Sequence, residues 1–182
     1  MATDQGQHFA ALAEALVRQP NASMEQLAHS IGVSRATLHR MVSSRDELIK
    51  QISDYAYDVC TRTFAELRLD EGPADETLQR MVAALTPNAN LYLYLLAHRD
   101  CPGHAGARLD DDWQEQRKLL VAFFQRGQEQ GVFRIDMAAS WLVDALGALM
   151  RAAAESAYEE RLARADMNMV VCNVLLDGAR RR

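Results

Sequence analysis

The sequence predicts an all-α fold, on three observations. Good helix formers (Ala, Leu, Glu, Gln, Arg) fill long runs, and only nine Gly and four Pro interrupt 182 residues. Apolar residues recur at three- and four-residue intervals, whereas no segment alternates apolar and polar residues long enough to suggest a strand. Helix-start and helix-stop residues punctuate the chain at helical spacing. About nine helices are expected, as a three-helix head followed by a larger helical domain.

Residues 8–18 predict the first helix, with Phe9, Leu12, Ala13, Leu16 and Val17 as its apolar stripe. Pro20 and Asn21 end it. The stretch 23–48 then carries three start signals: Ser23 with Gln26 and Ser44 with Glu47 fit capping boxes, and Ser34 between them is a good N-cap. Gly32 separates two short helical segments, where a tight turn needs a residue that tolerates positive φ. Leu27, Ala28 and Ile31 on one side and Val33, Leu38, Met41 and Val42 on the other let the two helices cross over a small core. That is a helix-turn-helix unit, and its second helix presents Arg35, Thr37, His39 and Arg40 on faces the core does not need.

After Ser44 a long helix is expected to about Leu67, roughly 35 Å in length, joining the head to the second domain. A break at 70–73 precedes helices at 75–85 and 88–98. Residues 99–106 are the least helical part of the chain. A helix from about 109 to 130 should stop at Gly131, a C′ glycine. Asp136 can cap the next, which runs to about Tyr158, and the last is expected over 161–176. The domain boundary is placed at residue 50, giving a head of 1–50 and a larger domain of 51–182.

The charge pattern suits such a head. The net charge is −5, but residues 1–50 hold five basic and five acidic side chains, so the deficit lies outside the proposed DNA-contacting end. Three widely spaced cysteines argue against a disulfide framework, and no apolar run approaches a membrane span. The N-terminus lacks the regions of a signal peptide, so a cytoplasmic protein is expected. No phosphate-binding glycine loop, nucleophile elbow or convincing carboxylate pair is present, so no enzymatic activity and no cofactor are expected. His98, Cys101 and His104, near Asp100 and Asp110, form the one set that could draw a metal. Without a paired Cys-x-x-Cys it reads as a polar loop, and no metal is expected.

In its first fifty residues the chain resembles the TetR family of one-component transcriptional regulators. The resemblance rests on Leu27-Ala28, on Ile31-Gly32-Val33-Ser34-Arg35-Ala36-Thr37-Leu38-His39-Arg40-Met41-Val42 and on Ser44-Arg45-Asp46-Glu47-Leu48. The family's usual Tyr is His39 here, its aromatic Phe is Val42, its Lys is Arg45, and no basic arm precedes the first helix. By position, the resemblance implies that Ser34 and Thr37 bond phosphate or base edges at the start of the recognition helix. It implies that Arg35 reads guanine through its planar fork, that Ala36 permits close approach to the groove, and that His39, Arg40 and Arg45 clamp the backbone.

The last two helices are unusually apolar. Trp141, Leu142, Ala145, Leu146 and Leu149 cover one, and Met167, Met169, Val170, Val171, Val174 and Leu175 the other. Such faces can build a four-helix bundle with a second copy, as TetR-like proteins do in forming homodimers. A homodimer would set two recognition helices about 34–36 Å apart on a palindromic or pseudo-palindromic operator. The middle helices supply Tyr92, Tyr94, His98, Trp113, Phe123 and Phe124, with Trp141 further on, and the family encloses an effector pocket there. The implied function is a repressor whose operator affinity falls when a small organic effector binds. The neutral head also fits a second reading, a helical ligand-binding or protein-interaction module that has lost operator recognition.

Overall fold

The computed structural model describes residues 4–98 and 106–179, and all the regular structure in them is helical. Nine α-helices occur among the described residues: α1 (Asp4–Arg18), α2 (Met24–Ser30), α3 (Arg35–Met41), α4 (Arg45–Glu66), α5 (Ala74–Leu85), α6 (Ala89–Ala97), α7 (Gly106–Glu129), α8 (Ala139–Tyr158) and α9 (Met167–Ala179). Single 3-10 turns precede α6 and α9. No helix among the described residues is long and apolar enough to cross a membrane. The chain forms two compact units, residues 1–62 with 90–110 and residues 63–89 with 111–182.

In the first unit, α1 buries Phe9, Leu12, Ala13 and Leu16, the stripe its spacing implies. Leu27 and Ala28 of α2, Leu38 of α3, Val42, and Leu48, Ile52 and Ala56 of α4 close the same core. Leu91 and Tyr94 bring α6 into it. Ser23 caps α2 with a complete capping box: its amide donates to the Gln26 side chain at 2.7 Å, and its hydroxyl accepts from the Gln26 amide at 3.3 Å. Gly32 sits at φ 70°. Its amide donates to the His29 carbonyl at 3.0 Å and the Val33 amide to the Ala28 carbonyl at 3.0 Å, the pair of bonds that ends a helix through a left-handed residue.

The second unit is built around α5, α7, α8 and α9. Phe123 and Phe124 of α7 lie 5.0 Å apart between ring centroids and meet Phe133 at 5.8 and 5.2 Å, spacings that suit edge-on and tilted aromatic packing. Leu78, Met81 and Val82 of α5, Leu142 and Leu146 of α8, and Val171, Leu175 and Leu176 of α9 are buried. Arg126 holds the turn between α4 and α5, donating to the Gly72 carbonyl at 2.6 Å and the Leu69 carbonyl at 2.8 Å.

Several helix boundaries differ from expectation, among them the start of α7, at Gly106 rather than about residue 109. The first helix begins at Asp4 rather than residue 8. Asp136 does not cap α8: its carboxylate pairs with Arg134, and the helix starts after Ala138 with no side-chain cap. The last helix begins at Met167 and ends at Ala179, later at both ends than the apolar pattern suggested. Gly131 does terminate α7, at φ 74°.

Candidate nucleic-acid interface and ligand-side residues

The face of α3 is organised by its N-cap. Ser34 is extended (φ −74°, ψ 153°) and its hydroxyl accepts from the Thr37 amide at 3.1 Å, satisfying one of the N–H donors the first turn leaves open. The Ser34 and Thr37 hydroxyls lie 2.9 Å apart. The Arg40 guanidinium donates to the Thr37 hydroxyl at 3.2 Å, so Thr37 links the helix start to a cation one turn on. Leu38 is the only buried residue of α3, while Arg35, Ala36, His39 and Arg40 are exposed, as is the Ser34 cap. Seven residues make a helix of about 10 Å, short enough to enter a major groove about 12 Å wide. Ser34, Arg35, Ala36, Thr37, His39 and Arg40 therefore share one short element, with hydroxyls at its start and two guanidiniums along it.

Arg45 is placed differently. It begins α4, and its guanidinium donates to the Pro20 carbonyl at 2.6 Å and to the Ala22 carbonyl. Two other cations of this unit are paired on their own helices, Arg18 with Glu14 at 2.7 Å and Lys50 with Asp54 at 2.8 Å.

Of the aromatic set, Tyr92, Tyr94 and His98 belong to the first unit, and Trp113, Phe123, Phe124 and Trp141 to the second. Tyr94 is fully buried. Its hydroxyl donates to the Ile49 carbonyl at 3.1 Å and lies 3.3 Å from the buried Ser53 hydroxyl, so the polar tip is satisfied inside an apolar core. The His98 ring stacks on Tyr94 with centroids 4.2 Å apart, and its Nδ1–H donates to the Tyr94 carbonyl at 2.9 Å. Burial pushes the Tyr92 phenol well above its ordinary range. The Cys60 thiol is pushed up to about 12 by burial, which keeps it protonated and unreactive near neutrality.

Phe123 and Phe124 are fully enclosed, and Trp113 is half-buried. Trp141 is 59% exposed and lines an apolar groove of about 530 Å³ with Ala145, Ala148, Leu149 and Val174, between α8 and α9. Cys101 and His104 lie outside the described residues, and no group of three or more potential metal ligands occurs among those described.

Three partners escaped the sequence reading: Ser53 beneath Tyr94, Asn90, whose amide donates to Glu14 at 2.7 Å, and the two carbonyls held by Arg45. Each links residues more than twenty positions apart, beyond the reach of helical periodicity.

No protein-family model matches the chain. It is 32% identical over 173 residues to the HTH-type transcriptional regulator NfxB of Pseudomonas aeruginosa, covering 93% of this chain and 90% of that protein. Among solved structures it resembles the TetR-like transcriptional regulator LfrR of Mycobacterium smegmatis in complex with proflavine, with TM-score 0.65 and 20% identity over 97% of each chain. It also resembles the ketosteroid transcriptional regulator KstR2 of Mycobacterium tuberculosis, with TM-score 0.71 and 14% identity over 100% of this chain and 97% of that one.

Proposed function

The chain belongs to the TetR family of transcriptional regulators, and from that premise we propose that it is a homodimeric repressor that reads a palindromic or pseudo-palindromic operator and releases it when a small organic effector binds. The observation that carries the DNA-reading part is the face of α3: a capped, seven-residue helix exposing Arg35, Ala36, His39 and Arg40 while burying only Leu38. Arg35 reads a base edge, since its fork matches guanine O6 and N7. Ser34 and Thr37 bond the backbone at the helix start. His39 and Arg40 fix the register on phosphates. Residues 1–50 act as the DNA-binding part and 51–182 as the effector and dimer part, in the cytoplasm.

The dimer forms through α8 and α9. Their shared groove leaves Trp141 and Val174 more than half exposed, and apolar area of this kind favours burial against a second copy. Trp141 then serves the interface as well as the effector region.

The effector is a small organic compound, and proflavine, which LfrR holds, is the first probe. In the proposed set, Tyr94 is enclosed in the core of the first unit and Phe123 and Phe124 in that of the second, whereas Tyr92 and His98 of the first unit and Trp113 of the second are only partly buried, and each keeps surface for contact with a ligand. Effector and operator then favour different states of α4, the continuous helix of 22 residues whose early turns pack in the head core. Each ligand weakens the other by the same factor.

The test is fluorescence anisotropy on a duplex selected by the wild-type protein from a random DNA pool. Arg35→Ala with Arg40→Ala is expected to weaken binding at least about thirtyfold, since each protomer loses a bidentate base contact worth about 1–3 kcal/mol and a phosphate contact besides. Unchanged affinity would remove α3 as the reading element.

A further inference from the structure

Arg45 stands where the family resemblance implies a phosphate clamp, yet its guanidinium closes a different contact. One amino group donates to the Pro20 carbonyl at 2.6 Å and the other to the Ala22 carbonyl. These carbonyls lie in the connection between α1 and α2. Pro20 follows the end of α1, and the Ala22 amide turns back to the Gln19 carbonyl at 2.9 Å. Ser23 then caps α2. Ala22 is 5% exposed, so its carbonyl sits at the edge of the core, where a backbone acceptor needs a partner. The planar fork aims two rigid N–H groups at the two carbonyls, whereas a lysine ammonium offers rotatable donors from a single nitrogen at the end of a flexible stem.

We infer that Arg45 is a positioning residue: it fastens the α1–α2 connection to the first turn of α4 and so sets the seat of α2, and with it the recognition helix, on the DNA. The inference rests on the reading of α3 as the DNA-reading helix. Its physical content is that Arg45 works through the two bonds its fork directs at backbone carbonyls and not through charge presented to phosphate. Outside α3, the other two basic residues of 1–50 stand in ion pairs on their own helices, Arg18 with Glu14 and Lys50 with Asp54.

Geometry and charge separate cleanly in Arg45→Lys, which keeps the charge and loses the fork, and in Arg45→Gln, which loses both. Binding is measured from 50 to 200 mM salt on a duplex selected from a random pool by the wild type, and on an unrelated duplex of equal length. Both variants are expected to lose about tenfold in affinity for the selected duplex, as befits charge-assisted bonds of about 1.4 kcal/mol or more. Both should bind the unrelated duplex within about twofold of wild type and keep the wild-type slope of log K against log salt. Arg35→Ala, the control, lowers that slope if it also meets phosphate and lowers the preference for the selected duplex in either case.

A rescue by lysine overturns the inference, as does a slope reduced by about 0.9 per protomer in Arg45→Gln, since that marks a lost phosphate contact. So does a fall in melting temperature with the preference between duplexes unchanged, which would make Arg45 structural only. If the wild type selects no sequence, the DNA-reading assignment itself fails. Hydrogen exchange still decides the clasp: faster exchange of the amides of 22–28 in Arg45→Lys supports it, and unchanged exchange refutes it.

Discussion

Gly127 lies so close to Phe133 that a methyl group added there would meet ring carbons at 2.2 and 2.4 Å and the Ala74 side chain at 2.9 Å. Neither neighbour can move far, because the Phe133 ring is wedged against Phe123 and Phe124 and Ala74 begins α5. Gly127→Ala is therefore expected to lower unfolding free energy by about 1–3 kcal/mol, the usual range for overpacking, as read by urea denaturation. The gain in helix propensity is smaller, at most about 1 kcal/mol. The sequence does not announce this requirement, since Phe133 stands alone between two helices, outside any apolar stripe. Val42 shows the opposite case. Its place in a helical pattern marked it as core, and it is 3% exposed. Ser34, likewise, was legible as a cap because its partner is only three residues away. The Arg45 clasp was not, because Pro20 and Ala22 gain meaning only once α1 and α4 are brought together.

Helices were legible to the extent that their ends are decided locally. Both left-handed glycine stops, Gly32 and Gly131, fall where the pattern required them. Asp136 carries the right chemistry for a cap but stands two residues from Arg134, and the ion pair takes it. Its carboxyl is held below the usual range by the hydrogen bond from Arg134. The end of α8 uses the same geometry as the glycine stops with the wrong residue: Glu160 sits at φ 57°, and the Arg161 amide donates to the Ser156 carbonyl at 2.9 Å. A side chain in the left-handed region costs about 1–2 kcal/mol. Glu160→Gly is thus expected to stabilise the protein by about 1 kcal/mol after the entropy of the freed unfolded chain is counted. A thermal midpoint unchanged or lowered would show that the strain is relieved elsewhere.

On the scale of the whole molecule, the all-α class and the helix-turn-helix were legible because each follows from periodicity and caps within some thirty residues. The compact units were less so. Residues 90–110 join residues 1–62 in one unit, and nothing in the spacing of α6 foretells it. Tyr94 supplies the physical reason: its ring fills the core of α1 and α4, and its hydroxyl bonds the Ile49 carbonyl. The proposed function rests, at this scale, on a second copy, since a single seven-residue helix covers too few base edges to select a genomic site. In the proposed dimer, two copies of α3 read one face of the duplex together. Hydroxyl-radical footprinting on the selected duplex tests it most directly. Two protected patches are expected, centred 10–10.5 base pairs apart, or a multiple of that, on one face, both lost in Arg35→Ala with Arg40→Ala. A single patch, or protection that survives those substitutions, would contradict it.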